Sequence, residues 1–282
     1  HRPRADQKGG QGTVRALRII VCIKQVPHPD EARVDSQTGL VIREGVPMVL
    51  NPNDYFAIEE ALRLKETWGG EVAALTMGPP GADAILREAI SLGVDDGVLL
   101  SHPSFAGADT LATAYTLARG IECLGGYDLI LTGSRSTDGE TGQVGPQIAE
   151  ILGIPHLTEL ICPIDIEGES LLAWHQTDYG QELVQMPLPA LLTAAKGMNE
   201  PRLPSLRGKM RAKKQELPIW GPEEIKADPD RIGLTGSPTC ILQTALPERG
   251  THSKMLDGSM GEQIDALLHH LEDILPGKAG GR

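Results

Sequence analysis

The stretch YDLILTGSRSTDGETGQVGP, from Tyr127 to Pro146, joins a short apolar run to a glycine-rich segment and then to the start of an amphipathic pattern. An apolar run of this length, bounded by turn residues, is typical of a strand buried on both faces. The pattern from Thr141 to Leu152 predicts a helix, which Gly153 would end. The stretch therefore predicts a strand, a glycine-rich turn and a helix, the unit from which parallel α/β sheets are built.

The same unit recurs upstream along the chain. Further apolar runs predict strands over Arg18–Lys24, Glu71–Met77 and Gly97–Ser101. Helices are predicted after Asn51-Pro52-Asn53-Asp54, with Asn51 as the cap, and then over Ala82–Leu92 and Asp109–Gly120. Four such units in series predict a doubly wound parallel sheet with helices on both faces. Ligands of such sheets bind at the carboxyl ends of strands, where the strand order reverses.

The pattern changes after Gly153. An antiparallel pair is expected over Leu171–Tyr179 and Gln181–Met186, followed by a buried strand over Pro189–Ala195. We expect a disordered extension over residues 1–17 and an α/β domain over residues 18–217, which includes an exposed basic arm at 199–214. Residues 218–282 are expected to form an irregular linker and a terminal helix, with Ile264, Leu267 and Leu271 on one face. That helix would pack on its own domain or on a partner.

The composition narrows the function. The chain carries 26 Lys and Arg against 38 Asp and Glu, a formal net charge of −12, which argues against nucleic-acid binding. No apolar run approaches the roughly 18 residues of a membrane span. The four cysteines are scattered and form no CxxC pair, so we expect reduced thiols and a cytoplasmic protein.

The glycine-rich segment from Gly133 to Gly145 is the strongest candidate site. Backbone N–H groups at a helix N-terminus attract anions, and glycines let a phosphate approach the backbone closely. The segment is therefore expected to bind nucleotide phosphates with Arg135 as a counter-charge, although an ordinary turn would look the same. It matches neither a Walker loop nor GxGxxG. Because no acid–base set, metal-ligand spacing or nucleophile motif accompanies it, a carrier, a sensor or a cofactor-dependent redox protein is indicated.

The chain resembles the β subunits of electron-transfer flavoproteins from about Arg18 to the terminal helix. The matching segments are VCIKQVP (Val21–Pro27), NPNDYFAIEEALRLKE (Asn51–Glu66), TMGPPGAD (Thr76–Asp83), DGETGQVGP (Asp138–Pro146) and MNEPRLPSLRGKMRAKK (Met198–Lys214). The resemblance implies an adenine-nucleotide-binding fold, similar to universal stress proteins, that pairs with an FAD-containing α subunit. The β subunit binds AMP as a structural filler in the housekeeping branch. In the electron-bifurcating branch it binds a second FAD that accepts a hydride from NADH.

The resemblance also implies site residues. The nucleotide pocket would use residues at strand ends, at the start of a helix and in the glycine-rich loop: Cys22, Asn51, Asp54, Met77, Gly133, Ser134, Arg135, Asp138, Gly139, Thr141, Gly142, Gln143 and Val144. Leu206 matches the leucine that inserts into a partner dehydrogenase of the acyl-CoA type. Basic residues around it, Arg202 and Lys209 among them, would steer that contact.

Three segments resemble the bifurcating branch, namely TMGPPGAD, FAGADTLAT (Phe105–Thr113) and IKADPDRIGLTGSPT (Ile225–Thr239). Two features depart from it, because Gly142 stands where Ala is expected and Ser134-Arg135-Ser136-Thr137 replaces a basic-Gln-Ala-Ile run. We favour FAD over AMP, with ferredoxin or flavodoxin as a low-potential acceptor. The alternatives are an AMP-binding passive carrier and a stand-alone nucleotide sensor of the universal-stress type. An ATP-pyrophosphatase ligase is disfavoured, since no SGGxD loop follows the first strand.

Overall fold

The computed structural model describes residues 16–28, 33–34, 41–42, 46–239 and 255–274. The chain divides into two units, His1–Thr244 and Ala245–Arg282. In the second unit the described element is a helix, Met260–Ile274, which lies in the segment where a terminal helix is expected. The division expected at residues 17 and 217, and the packing of the terminal helix, stay predictions; most of the N-terminal extension lies outside the described residues. Within the described ranges, no helix combines the length and apolar character that crossing a membrane requires.

The first unit is built on one large sheet, and its strands are numbered in chain order. They are β1 Leu17–Cys22, β2 Gln25–Pro27, β3 Arg33–Val34, β4 Val41–Ile42, β5 Met48–Leu50, β6 Gly70–Met77, β7 Asp96–Leu100, β8 Leu129–Gly133, β9 His156–Leu160, β10 Asp165–Glu167, β11 Ser170–Thr177, β12 Gly180–Pro187, β13 Ala190–Ala194 and β14 Ile219–Trp220. The sheet order is β10-β11-β9-β13-β8-β1-β6-β7-β14, with β12 on β11, while β2 pairs with β5 and β3 with β4.

The run from β9 to β14 is parallel, and β10, β11 and β12 form the antiparallel addition. From β1 the chain moves to β6 and β7 on one side, and then to β8 on the other side. The strand order therefore reverses between β1 and β8, which makes this the position where a doubly wound sheet binds its ligand.

Helices cover both faces of the sheet. Those of the first unit are α1 Asp54–Trp68, α2 Asp83–Leu92, α3 Thr110–Leu124, α4 Val144–Leu152 and α5 Leu206–Lys214; α6, Met260–Ile274, belongs to the second unit. One apolar core lies between the sheet and α1 and α2, and a second lies between the sheet and α3 and α4. Both cores are mainly Leu, Ile, Val and Ala, as the composition predicts for strands buried on both faces. The predicted doubly wound α/β class is confirmed.

The structure corrects three local predictions. Asn51 does not cap α1, because the helix begins at Asp54 and Asn53 occupies the cap position. Helix α4 begins at Val144 rather than at Thr141, so the glycine-rich loop is longer than expected. The basic arm contains a helix, α5, which Ser205 caps by accepting a hydrogen bond from the Gly208 N–H. Asp109, where the third helix is predicted to begin, is the N-cap of α3, and its side chain accepts the N–H of Ala112.

Candidate nucleotide site and partner-docking arm

The candidate nucleotide site lies at the carboxyl ends of β6, β1 and β8. Cys22, the last residue of β1, is in register with Thr132 of β8 and with Leu75 of β6. Gly133 ends β8 and Met77 ends β6. Three of the residues assigned from the resemblance thus lie at one edge of the sheet, beside the point where the strand order reverses. Sheet topology alone brings them together from distant parts of the chain.

The start of α1 holds the first half of the glycine-rich loop. The Asn51 side-chain amide donates to the Arg135 carbonyl at 3.1 Å, and the Asn53 amide donates to the same oxygen at 2.8 Å. The Asn51 side-chain oxygen accepts the backbone N–H of Thr137 at 3.2 Å. Asn51 therefore acts as a clamp on the loop, which is a role that its assignment as a helix cap did not predict.

Asp54 is the buried centre of this edge. Its two carboxylate oxygens accept hydrogen bonds from the Asn51 amide at 2.8 Å and from the Lys24 backbone N–H at 2.7 Å. The Gly133 N–H is a further donor. Burial raises the pKa of Asp54 to about 7, although these hydrogen bonds and the Lys24 charge act in the opposite direction. The carboxyl group thus joins the end of β1, the start of α1 and the end of β8.

Cys22 lies close to Asp54 but has no reactive character. Burial, and secondarily the neighbouring Asp54, raises the pKa of this thiol to about 12. A thiol with such a pKa is protonated at neutral pH, and the thiolate is the nucleophilic form. Cys22 therefore contributes shape and apolar surface to the site rather than chemistry.

An ion pair that the sequence did not reveal joins β1 to the loop. Lys24 Nζ lies 2.7 and 2.8 Å from the two carboxylate oxygens of Asp138, and 3.4 Å from Ser136 Oγ. Burial by itself would raise the pKa of Asp138, but the hydrogen bond and charge of Lys24 outweigh it, so the pKa is lowered. Asp138 is therefore ionised and neutralised by Lys24. Because the two residues are 114 positions apart in the sequence, no local pattern predicts that they form a pair.

Arg135, which was expected to be a counter-charge for phosphate, forms an ion pair within the protein. Its guanidinium donates to Glu159 on β9 at 2.9 Å, and half of its side chain is exposed. Its carbonyl is the acceptor that Asn51 and Asn53 share. Arg135 is thus held at both its backbone and its side chain, and its contact with a phosphate stays a prediction.

The second half of the loop leads into an uncapped helix. Gly142 has φ +64°, a conformation in which a side chain costs roughly 1 kcal/mol. Gln143 stands at the N-cap of α4 without a side-chain capping bond, which leaves the first N–H groups of α4 without that partner. Within the described ranges, the buried Thr137 hydroxyl also lacks a hydrogen-bond partner. Unpaired N–H donors and a buried hydroxyl fit a phosphate-bearing ligand, since its oxygens would satisfy them.

The described residues hold no group of three or more His, Cys, Asp or Glu that could bind a metal ion. The features of the site are instead backbone donors, glycines, the neutralised acid Asp138 and the buried carboxyl group of Asp54. These features can hold and orient a nucleotide.

The basic arm forms a second candidate site on the face that carries α1 and α2. Leu206 is 78% exposed at the start of α5, and Leu203 and Met210 are also exposed. Ion pairs neutralise many other cations of the described chain. Within the same residues, no side-chain hydrogen bond or carboxylate partner is found for Arg207, Lys209, Lys213 and Lys214. An exposed apolar side chain among unpaired cations suits a contact with an acidic partner.

Arg202 anchors the arm. Its guanidinium binds both carboxylate oxygens of Glu59, at 2.8 and 3.0 Å, and both of Glu66, at 2.5 and 3.1 Å, on the outer face of α1. At the other end, Arg211 donates to the Ile90 carbonyl in the last turn of α2 and to the Val94 carbonyl just after that helix. The arm is therefore fixed to α1 and α2. Arg202 holds the arm in the structure, while a direct contact of Arg202 with a partner stays a prediction.

Comparison with known proteins agrees with this geometry. The family description "Electron transfer flavoprotein domain" matches residues 38–224. The electron transfer flavoprotein subunit beta of Thermoanaerobacterium thermosaccharolyticum is 41% identical over 256 residues, covering 90% of this chain and 98% of the relative. Subunit CarD of the caffeyl-CoA reductase–Etf complex of Acetobacterium woodii is 43% identical, and the match covers 89% of this chain and 96% of the relative. Protein FixA of Azorhizobium caulinodans is 40% identical, covering 94% and 100%.

These matches extend over both candidate sites and nearly the full length of the relatives. Proteins of this kind are linked to flavin-dependent electron transfer, and their β subunits pair with an α subunit. A β subunit needs a site that holds a cofactor and a surface that meets other proteins, and the described residues provide a candidate for each. The chain belongs to the electron-transfer flavoprotein family, among the β subunits.

Proposed function

We propose that this β subunit binds FAD at the edge formed by β6, β1 and β8, and that it works in electron bifurcation with an α subunit. The bound flavin would accept a hydride from NADH and divide the electrons between the α-subunit FAD and a low-potential acceptor such as ferredoxin or flavodoxin. The protein's own part is to bind and orient the nucleotide. The Gly133–Val144 loop and the amides at the start of α4 would hold its phosphates.

The observation that favours FAD over AMP is a pair of contacting chain segments beside the loop, which we call the wall. The segments 105–113 and 225–239, which resemble the bifurcating branch, contact each other. The Asp109 carboxylate accepts the Thr239 N–H at 3.1 Å and its hydroxyl at 2.8 Å, while the Asp109 N–H donates to Ser237 Oγ at 2.8 Å. These bonds hold the end of the second segment against the start of α3.

The wall is joined to the glycine-rich loop. Thr110, next to Asp109, donates its hydroxyl to the Gln143 side chain at 3.1 Å. The two branch-specific segments therefore lie directly against the loop, where an extended nucleotide such as FAD would meet them. A mononucleotide has less need of such an added wall, and this difference supports the proposal.

The relatives support the same assignment. CarD is by name a subunit of a caffeyl-CoA reductase complex, which links a close relative to a CoA-ester oxidoreductase. For the present chain we propose an acyl-CoA-dehydrogenase-type partner that docks on the arm, with Leu206 as the apolar anchor and Lys209 among the steering cations. The AMP-binding passive carrier is the second candidate, and Gly142 in place of the expected Ala favours it.

The test is to co-express the chain with its α subunit, purify the complex without oxygen and identify the released nucleotides. FAD well above one equivalent per heterodimer, with no AMP and with bleaching by NADH, is the expected result. About one FAD with matching AMP and no response to NADH would establish the passive carrier instead. A chain that folds alone and binds no α subunit would contradict both.

One variant addresses the wall itself. In Asp109→Asn the side chain still caps α3, because Asn is a good N-cap, but it loses the second carboxylate oxygen that Thr239 uses. We expect the β-site FAD content to fall while the heterodimer stays intact. The matched control is Asp178→Asn, an exposed residue in the turn between β11 and β12 and outside all three segments that resemble the bifurcating branch, which should keep its FAD. Unchanged FAD content in Asp109→Asn would show that the wall has no part in nucleotide choice.

A further inference from the structure

The Lys24–Asp138 pair lies inside the proposed nucleotide site and carries a more specific inference. Both oxygens of Asp138 are within 2.8 Å of the Lys24 ammonium. The two side chains are 48% and 33% exposed, so the pair is only partly screened by solvent. Exposed pairs of this type usually contribute little to stability. A functional role of the Lys24–Asp138 pair must therefore come from its position in the site.

The backbone of Lys24 is fixed on both sides. Its N–H donates to Asp54 at 2.7 Å, and its carbonyl accepts the Asn51 N–H at 2.9 Å. Asn51 also holds the loop at Arg135 and Thr137. The stem of the lysine and the first half of the loop therefore share one support, and the ammonium reaches Asp138 from a fixed origin.

The part of the loop that the segment before α1 holds ends at Asp138. The residues after it, Gly139 to Gln143, are the glycine-rich half of the loop. Before Asp138, Arg135 and Thr137 are bound to Asn51 and Asn53, just ahead of α1, whereas the glycine-rich half has few bonds to other elements. Among the described residues, the Thr110–Gln143 bond is the side-chain tie between this half of the loop and another helix. The Lys24–Asp138 pair thus sets where the glycine-rich half of the loop begins.

The charge of Asp138 makes the pair necessary for an anionic ligand. A carboxylate within the loop would repel phosphate groups held by the amides that follow. The loop's own cation, Arg135, is occupied by Glu159 on the neighbouring strand. In the part of the chain that the structure describes, Lys24 is the cation that hydrogen-bonds to Asp138.

We propose that Lys24 is a positioning residue of the nucleotide site, which neutralises Asp138 and fixes the glycine-rich half of the loop for the nucleotide phosphates. The inference rests on the proposed nucleotide-binding function, and it applies to FAD and to AMP because both carry phosphate. Lys24 acts through Asp138 and not by direct contact with the ligand.

A double-mutant cycle on the heterodimer tests it. After removal of bound nucleotide, the affinity for FAD and for AMP is measured by fluorescence and calorimetric titration in wild type, Lys24→Met, Asp138→Asn and the double variant. Lys24→Met should raise the dissociation constant about tenfold or more, since it leaves a partly buried charge unpaired. In the Asp138→Asn background the same change should have less than about a twofold effect, because no charge remains to be neutralised. Lys24→Arg should bind nearly as well as wild type.

The matched control is Lys65→Met, which breaks the Lys65–Asp95 pair at the far end of α1 and should leave affinity unchanged. If Lys24→Met binds as wild type does, or if it is equally damaging with and without the Asp138 charge, the proposal is overturned. Should Lys24→Met not assemble, loss of affinity in Lys24→Arg would equally overturn it. If the wild-type heterodimer binds neither nucleotide, the proposed function itself fails, which is a separate result.

Discussion

The buried carboxyl group of Asp54 predicts a measurable link between pH and the stability of this chain. Asp54 is 4% exposed, and its pKa in the folded protein is about 7 against an ordinary value of 3.8. Below pH 3.8 both the folded and the unfolded chain keep the proton, and the group causes no loss of stability. Between pH 3.8 and about 7 the unfolded chain is ionised while the folded chain keeps the proton, so stability falls as the pH rises, and above the folded pKa of about 7 the loss is complete.

The size of the effect follows from the difference between the two pKa values. About three units at roughly 1.4 kcal/mol each give a total near 4 kcal/mol, of which about 2 to 3 kcal/mol falls between pH 5 and pH 8. Asp54→Asn removes this dependence. It also turns an amide N–H₂ toward N–H donors, which should lower the free energy of unfolding by about 1 to 3 kcal/mol at every pH.

The assay is urea unfolding followed by circular dichroism at several pH values from 5 to 8. Wild type should lose stability relative to Asp54→Asn by about 2 to 3 kcal/mol across this range. Asp83→Asn, at the half-exposed start of α2, reports what the same chemical change does at a surface carboxyl group. Parallel profiles for wild type and Asp54→Asn would refute the reasoning, because they would mean that Asp54 keeps an ordinary pKa in the folded chain.

Three further predictions concern the arm and its supports. In Gly208→Ala a Cβ would lie 2.2 Å from the backbone carbonyl oxygen of Ser91 in the last turn of α2, so thermal unfolding should show a loss of about 2 kcal/mol, whereas Gly126→Ala, which meets nothing within 4 Å, should cost little. Leu206→Ala should leave stability and nucleotide content unchanged but slow electron transfer to the partner dehydrogenase about tenfold in stopped-flow measurements; an unchanged rate would remove Leu206 from the interface. Glu60→Gln, at a fully buried carboxylate whose partner Arg63 is 34% exposed, should cost about 3 kcal/mol in urea unfolding, and Glu66→Gln on the surface under 1 kcal/mol; equal losses would contradict the role of burial.

Sequence patterns predicted the parallel sheet because its strands are continuous apolar runs that glycines and helix caps delimit. The same signals failed where structure depends on distant contacts. Helix α5 has no apolar stripe and follows Pro201 and Pro204, so its sequence resembles a loop; bonds from Arg202 and Arg211 to α1 and α2 hold it in place. Strand β9, with a polar composition, is a strand because β13 pairs with it.

In the candidate site, too, the sequence predicts the features that depend on the order of the elements and misses those that depend on contacts between distant residues. Residues at strand ends could be placed from the order of the elements, since parallel strands share one carboxyl edge. The function of Asn51 as a clamp and the pairing of Lys24 with Asp138 depend on side-chain positions that only the folded chain defines. Arg135 could be recognised as the loop's cation, but its partner Glu159 comes from a strand that the sequence did not predict.

The arm is bounded at both ends by strands of the same sheet, which restricts how this protein can change its partner during evolution. Strand β13 precedes the arm and β14 follows it, and β8, β1, β6 and β7 lie between them in the sheet. With neighbouring strands about 4.8 Å apart, the connection spans roughly 24 Å. An insertion or deletion between Arg202 and Arg211 would move one of these two anchors away from its partners on α1 or α2, so new partners are expected to be acquired by substitution on a segment of constant length. Residues 199–214 should therefore be exchangeable as one cassette between relatives, carrying partner choice with them.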